Sequence, residues 1–325
     1  MKKLCSFFLL FVCVSCFAEV PQWIKNPEKV FPTSKYIRAI GEGTSIKAAQ
    51  NAALTNISLF FDTKIEVLTV AVEKMKQNEQ EQFSSSQDFE QVTNISSAAE
   101  FFGIKYTEPY YDKKSDKYSV LCYIDKEEAS KVYKSRIDTL MQTINSYRDY
   151  SKKESEIFLK ASYLAKSKKI SDLVQHYINL EAIMFPSETQ KYQNELKIIS
   201  ELPTELDSLK KQMMFSIKMN QNEKKFDPIS TCIAGILESK GYSNSVSNSE
   251  YKIFVDISCI EENYEAGPFV RASADIFIVN KNEKSVYSYS KTFPRIGSTT
   301  MEKAYTRAIT KIRQDLEENF LVELE

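Results

Sequence analysis

Glycine scarcity is the feature that most limits what this chain can fold into. It has seven glycines in 325 residues, where average usage of about 7 % would give roughly 23. Phosphate-cradling loops and dinucleotide folds use glycine so that backbone N–H groups can approach a ligand. The chain also has a single histidine, whereas most histidine-based metal sites use more than one. Few catalytic templates are compatible with this composition.

The first eighteen residues have the pattern of a secretory signal peptide. Lys2 and Lys3 precede an apolar run from Leu4 to Val14, and small residues follow up to Ala18. As a helix, eleven residues cover only about half of a ~30 Å hydrocarbon core, so this run is too short to span a membrane. The sequence predicts an exported protein, either periplasmic or anchored at the outer membrane.

Two processing routes fit this leader. With Cys16 at −3 and Ala18 at −1, ordinary signal peptidase would cleave after Ala18. Alternatively, Ser15-Cys16 suits a relaxed lipobox, in which Cys16 becomes the lipidated N-terminus. Cys13, at a position where leucine is usual, and the short tether to Pro21 argue against this second route. Cys16 is a candidate lipidation site, and its lipid would be the only predicted link to a membrane.

The remaining pattern predicts an α+β fold, in which two small domains of antiparallel sheet and helix are joined by a helical middle segment. The predicted boundaries are a signal peptide over 1–18, an α+β domain over 19–130, a helical segment over 131–210 and a second α+β domain over 211–325. Apolar residues at helical spacing indicate a long helix from Ile46 to Met75. Strands are expected at 36–41, near 83–97, and at 101–111 and 117–125.

The C-terminal domain has an equally clear alternation. Its predicted elements are strands at 213–219, 251–260, 268–280 and 284–293, with helices at 228–240 and from Thr299 to about Leu321. Between 268 and 280, apolar residues alternate with polar ones, which is typical of a sheet with one face in water. Thr299 and Glu302 have the spacing of a capping box at the start of the last helix.

Cysteine usage argues against a disulfide framework. Cleavage after Ala18 leaves Cys122, Cys232 and Cys259, which is an odd number. Cys232 lies on a predicted helical face and Cys259 ends an alternating apolar set, so both are expected to point into one core. A single bridge between Cys232 and Cys259 is a candidate in an oxidising compartment, and two buried free thiols are the alternative.

Candidate chemistry is sparse along the chain. Gly41-Glu42-Gly43 follows a strand and precedes a helix, but Ile46 occupies the third glycine position of a dinucleotide-binding motif. His176 has no cysteine or second histidine near it in sequence. The sequence therefore predicts no catalytic, cofactor-binding or metal-binding residues.

The charge balance carries no nucleic-acid signal. Loss of Lys2 and Lys3 with the leader takes the 43 basic residues to 41 against 44 acidic ones, a net charge of −3. A nucleic-acid partner usually requires a basic surplus or a basic patch. Tyrosines crowd one hairpin, where they either pack across the strands or form a protein-binding face. The candidate interaction surface consists of Tyr106, Tyr110 and Tyr111.

A resemblance to a known family rests on three elements of the N-terminal half. They are Trp23 just after the leader, the strand ending in Gly41-Glu42-Gly43, and the following helix with alanines that include Ala49 and Ala53. Over about residues 20–130 the chain resembles the twenty-kilodalton Lpp (Lpp-twenty) family of bacterial envelope lipoproteins. The same pattern is similar to the N-terminal domain of flagellar assembly protein T and, more distantly, to TolB-N and CsgG-like domains, which the C-terminal unit also resembles.

The resemblance implies an envelope location and a role in protein–protein interaction, with no enzyme activity. The leading hypothesis is a non-enzymatic, lipoprotein-like protein of the cell envelope that acts as a scaffold or assembly partner for other envelope proteins. The alternative is a periplasmic protein that binds a small ligand or glycan. The mass of the mature N-terminus separates the two processing routes, because it distinguishes a lipidated Cys16 from a free Glu19.

Overall fold

A computed structural model of the chain describes residues 19–79, 101–220, 224–244, 249–265 and 267–324. The leader with Cys16 and the strand predicted near 83–97 lie outside these residues. The helices are Gln22–Lys25 (α1), Pro27–Val30 (α2), Ile46–Glu79 (α3), Lys126–Lys153 (α4), Ile157–Met184 (α5), Gln193–Lys210 (α6), Asp227–Ser239 (α7) and Met301–Asn319 (α8). The strands are Tyr36–Gly43 (β1), Ile104–Tyr106 (β2), Tyr110–Asp112 (β3), Lys117–Asp125 (β4), Met214–Met219 (β5), Ser243–Asn244 (β6), Tyr251–Tyr264 (β7), Gly267–Asn280 (β8), Ser285–Thr292 (β9) and Ile296–Gly297 (β10). The predicted α+β class is confirmed.

The chain divides into two compact units, of which the first ends at Val132 and the second begins at Tyr133. In the first unit, β4 is central, with β1 on one side and the short strands β2 and β3 on the other, all antiparallel. The sequence predicted one strand over 101–111. The structure interrupts it between Thr107 and Pro109, because proline has no N–H to donate to a strand ladder.

Helix α3 lies directly on β1 at two glycines. A Cβ built on Gly41 would lie 2.1 Å from the backbone N of Ala53 and 2.3 Å from the backbone O of Ala49. A Cβ on Gly43 would lie 2.6 Å from the Cβ of Ala48. The sequence predicted a turn at these glycines, but both belong to β1, and they are required because the helix backbone occupies the space of any side chain.

The first sheet has a covered second face as well. Phe31, after α2, packs its ring 4.5 Å from the ring of Tyr123 and 5.4 Å from that of Tyr36. Arg38 donates through Nε to the backbone O of Phe31 at 2.5 Å. Trp23 on α1 is buried with 9 % exposure. The segment that follows the predicted leader is therefore part of the fold of this unit.

The second unit begins within α4 and continues with α5 and α6. Ser167 on α5 donates to the backbone O of Ile144 on α4 at 3.4 Å, and Ser151 on α4 donates to that of Lys160 on α5 at 3.1 Å. This register makes the two helices antiparallel. On α6, Glu201 and Glu205 both accept hydrogen bonds from Arg148 of α4, with the first at 3.3 Å. The three helices are thus joined by small-residue contacts and a branched ion pair.

The second sheet is mixed, which differs from the predicted antiparallel arrangement. Strands β7, β8 and β9 form an antiparallel meander with β10 also on β8, but β5 runs parallel to both β6 and β7. Parallel pairing follows from the path of α7, because a helix that crosses over the sheet returns the chain in its original direction. The cap of α8 is Thr300, which accepts from Lys303 N at 3.3 Å, and not Thr299 as predicted.

Replacing Gly41 with alanine tests the contact between helix and strand. Because the new Cβ would collide with backbone atoms, G41A is expected to lower the unfolding free energy of the first unit by about 2 kcal/mol or more. Trp23 is the only tryptophan in the chain, so its fluorescence during urea unfolding reports on this unit alone.

Gly235 provides the matched control. It lies inside α7, and a Cβ on it would meet no atom within 4 Å. G235A should leave the Trp23 transition unchanged, and it should raise the stability of the second unit by about 0.5–1 kcal/mol in far-UV circular dichroism. A G41A variant with the wild-type Trp23 midpoint would contradict the packing assigned to α3.

Candidate functional site

The three candidate tyrosines do not share one face of the first sheet. Tyr106 pairs with Cys122 and Tyr111 pairs with Tyr118, which puts both on the face that carries α3. Tyr110 is one residue from Tyr111 and therefore points to the other face. Tyr106 and Tyr111 are 36 % and 40 % exposed, and the rings of Tyr111 and Tyr118 lie 5.0 Å apart. Cross-strand packing therefore accounts for Tyr111.

The three cysteines of the described chain are thiols, and the candidate Cys232–Cys259 bridge is not formed. Cys232 Sγ lies 3.8 Å from both the backbone O of Arg313 and Oε1 of Glu317 on α8. Burial, followed by the Glu317 carboxylate, raises the pKa of Cys232. Burial raises the pKa of Cys122 to about 11. Since thiolate is the reactive form, neither thiol has the lowered pKa of an activated nucleophile.

His176 is buried on α5, with its ring 6.0 Å from that of Tyr177. Within the residues that the structure describes, no group of three or more His, Cys, Asp or Glu side chains is placed to hold a metal ion. In the same part of the chain, no helix is both long and apolar enough to cross a membrane.

Glu156 joins α5 to the second sheet. Its carboxylate accepts from the hydroxyl of Tyr251 on β7 and, at 2.5 Å, from Nδ2 of Asn280 on β8. It also caps α5 by accepting from the backbone N of Phe158 at 3.4 Å. Burial, followed by the hydrogen bond to Glu156, raises the pKa of Tyr251. One carboxylate therefore serves two strands and a helix end, which is a structural role.

Asp315 joins α8 to β9 in a similar way. Its side chain, 9 % exposed, accepts from Nζ of Lys291 at 2.7 Å and from the hydroxyl of Tyr289. Burial opposes ionisation of this carboxyl, but its hydrogen bonds with Lys291 and Tyr289 outweigh burial and lower its pKa. The hydroxyl of the neighbouring Tyr287 accepts from the backbone N of Leu321 at 3.1 Å, just beyond α8. The end of α8 is thus fixed to β9.

Within the described residues, no helix layer covers one face of the second sheet. Helices α7 and α8 pack on the face formed by residues such as Ile253, Val255 and Ile276, all buried. On the opposite face, Phe254 of β7 and Phe277 of β8 stack with ring centroids 5.1 Å apart and planes inclined by 16°. We refer to this side, the one that carries Phe254 and Phe277, as the open face.

Polar residues surround this aromatic pair on the open face. Lys218 Nζ lies 5.7 Å from the centroid of Phe254, and Ser258 and Ser273 are hydrogen-bonded across β7 and β8 at 2.7 Å. Phe277 is 38 % exposed and Ile260, near the end of β7, is 58 % exposed. Large apolar groups are thus held in water among polar neighbours, which is typical of a surface that binds protein.

Sequence reasoning predicted the wet face but missed its aromatic pair. The sequence contained a sign of this pair. In β7, Phe254 has the same parity as Asp256 and so points to the polar face, and in β8 Phe277 has the same parity as Asp275. An aromatic residue in the exposed phase of two adjacent strands is unusual for a solvated face. What the sequence could not provide is the register that sets Phe254 opposite Phe277.

Beside a groove of about 350 Å³ at Lys225 and Tyr305, three further grooves among the described residues flank α8. A groove of about 340 Å³ lies beside Ile296 and Lys311, and one of about 670 Å³ lies beside Gly297 and Lys303. The third, of about 540 Å³, lies between α7 and α8 at Cys232. All three are surface grooves with mixed polar and apolar walls, and Arg307 lies along the first two.

Comparison with known proteins does not assign the chain to a family. No family model matches it, and no curated protein matches it. The predicted membership of the Lpp-twenty family is therefore not confirmed.

Three solved structures show weak similarity. A secreted protein from the human pathogen Helicobacter pylori has 11 % identity and a TM-score of 0.43, with coverage of 88 % of this chain and 98 % of that one. A minor lipoprotein from Acinetobacter baumannii has 11 % identity and a TM-score of 0.25, and the match covers 33 % of this chain and 91 % of that one. A DUF330 protein from Xanthomonas campestris has 14 % identity and a TM-score of 0.26, and the match covers 34 % of this chain and 84 % of that one. At TM-scores below 0.5 these similarities establish nothing about this chain.

The contacts of Asp315 predict a pH-dependent contribution to stability. Because its pKa is lowered by folding, the stabilisation is complete above the unfolded pKa near 3.9 and is lost as pH falls through the folded value. D315N is therefore expected to cost about 1–3 kcal/mol at neutral pH. Its deficit relative to the wild type should shrink below about pH 4. Urea unfolding followed by far-UV circular dichroism measures both.

Asp275 supplies the control for this test. It is exposed on β8 and accepts from Ser290 at 2.5 Å, so D275N should change stability by no more than about 0.5 kcal/mol. Trp23 fluorescence, which reports on the other unit, should be unaffected in both variants. Equal stabilities of D315N and D275N at neutral pH, or a D315N deficit that persists in acid, would show that Asp315 does not hold α8 as described.

Proposed function

We propose that this chain is a non-enzymatic, exported protein of the cell envelope, lipoprotein-like, that acts as a scaffold or assembly partner for other envelope proteins. The observation that carries the proposal is the open face of the second sheet. There, the half-buried Phe254 and the exposed Phe277 form an aromatic pair between polar residues. Interfaces between proteins are enriched in aromatic residues at their centres and have polar rims.

The position of the charged side chains supports a binding role over a chemical one. In the second unit, Glu156, Asp315 and Arg148 each have two or more hydrogen-bond partners that connect separate elements of the fold. Such groups are committed to holding helices on strands or on each other. A general acid or base would instead need to reach a bound substrate.

The leader supports the envelope location. Its two lysines, short apolar run and small residues up to Ala18 are the pattern of an export signal. An aromatic surface on an exported chain fits a partner in the same compartment. We therefore assign the open face to contacts with an envelope protein, with Phe277 near the centre of that contact.

Site-specific cross-linking in cells tests this assignment. A photoreactive phenylalanine analogue in place of Phe277 is expected to give a discrete cross-linked species in the envelope fraction, because the ring is exposed on the contact surface. The same analogue at Thr310, exposed on α8 on the other side of the sheet, should give none. The cross-linked partner is identified by mass spectrometry of the isolated species.

Two outcomes would overturn the proposal. One is an exported chain that carries the analogue at Phe277 and gives no cross-linked species. The other is the same set of products from Phe277 and Thr310, which would indicate non-specific collisions. Substitution of aspartate for Phe254 should weaken a specific cross-link at Phe277, since it would put a charge into the centre of the contact.

A further inference from the structure

Strand β9 forms an edge of the second sheet. It is antiparallel to β8 on one side. On its other side, no backbone segment among the described residues is hydrogen-bonded to Ser285–Thr292. Because alternate backbone groups of a strand point to opposite sides, this edge presents a row of N–H donors and C=O acceptors without backbone partners. Water can solvate these groups, and another extended polypeptide backbone has the spacing to pair with the whole row.

The usual protection of an edge strand is weak along β9. Proteins block edges with lysine, proline, bulges or a covering element. Within β9 there is no proline, and its only charged residue, Lys291, is drawn onto Asp315 at 2.7 Å. The register shift against β8 lies at Ile278–Val279, opposite the start of β9, so Tyr287–Thr292 runs in regular register. The edge therefore carries one charged residue, Lys291 near its end, and is regular over most of its length.

The first sheet shows how this chain protects an edge. Strand β1 is also at an edge, but it carries Arg38 and Glu42, which are paired with Glu28 at 2.5 Å and Lys117 at 3.8 Å. The side chain of Asn56 also donates to the backbone O of Ile40 at 2.9 Å. Strand β9 has one charged residue, Lys291, where β1 has two, which makes β9 the less protected edge.

The sequence of β9 is complementary to itself. In an antiparallel two-fold pairing centred on Ser288 or Tyr289, no two like charges lie opposite each other, because Lys291 faces Ser285 or Tyr287 of the second copy. A two-fold contact of this kind uses the same patch on both copies and closes after two. An unrelated partner would not require this self-complementarity.

The helix layer leaves room for such a pairing. Helix α8 packs over β8, the strand inside β9. In a continuous sheet the two β8 strands would be three strand spacings apart, about 14 Å. Packed helices require only about 8–10 Å between axes. Where α8 lies over β8, the two copies would thus have room side by side on the same face, whereas their C-terminal ends, which reach Tyr289 and Lys291 of β9 through Asp315, would come closer together near the two-fold axis.

We propose that β9 is a self-association edge, at which a second copy of this chain pairs antiparallel to β9 and joins the two C-terminal sheets into one. This inference goes beyond the proposed assembly role and does not depend on it. The partner is another copy of this chain, and the contact consists of backbone hydrogen bonds and facing tyrosine and serine side chains.

A charge-swap at Ser288 tests the contact. Ser288 is exposed on the open face, so lysine or glutamate fits there in a single copy. In either register the two copies of residue 288 lie directly or diagonally opposite, so like charges repel. The molar mass of the purified full chain is measured by light scattering during size-exclusion chromatography over a concentration series, for the wild type, S288K, S288E and an equimolar mixture of the two variants.

The expected result is a twofold higher mass for the wild type than for S288K or S288E, with the wild-type mass restored in the mixture. Ser258→Lys, the same change on the open face of the interior strand β7, should keep the wild-type mass. A wild type that stays monomeric at every concentration, or an S288K chain that remains dimeric, would overturn the proposal. So would loss of the dimer in S258K alone, which would move the contact from the edge to the open face.

These outcomes are distinguishable from failure of the assembly role. Cross-linking at Phe277 in cells reports on a different protein, whereas the mass of the purified chain reports on a second copy. Restored association in the mixture also excludes misfolding of the single variants, because a misfolded chain would not regain its partner through an opposite charge.

Discussion

The close approach of α3 to β1 is the constraint on which the first unit depends. Gly41 and Gly43 on the strand, with Ala49 and Ala53 on the helix, remove side-chain bulk on both sides of the contact. The two backbones can then meet at distances that larger side chains on the strand would prevent. The Gly-x-Gly sequence of β1 thus serves this contact, because the helix backbone fills the space that a side chain at either glycine would need.

The second unit depends more on shared polar groups than on close backbone contact. Glu156 connects α5 with β7 and β8, and Asp315 connects α8 with β9. Each carboxylate has several donors, and for Asp315, which is buried, this is the condition under which burial of charge is tolerated. The surface left for association consists of the open face with its aromatic pair and the unpaired edge of β9.

The sequence predicted those parts of the fold that local periodicity controls. The long helix α3, the alternation of β8 and the helical middle all follow from spacings of 3.6 or 2 residues. Features set by distant pairing were not predictable. The parallel direction of β5 depends on the path of α7, the function of Gly41 depends on a helix that follows it, and the Phe254–Phe277 pair depends on register. Of the candidate site, the tyrosine set was predicted as one surface, but Tyr110 lies on the face opposite to Tyr106 and Tyr111.

The central claim is that this chain associates through the exposed parts of its second sheet, and amide hydrogen exchange along β9 tests it most directly. In dilute solution, the outward-pointing amides of Ser285–Thr292 should exchange quickly, because they have no backbone partner within the described chain. They should become protected as the concentration rises, while the amides of β1 remain unchanged. Exchange along β9 that is equally slow, or equally fast, at every concentration would contradict the account.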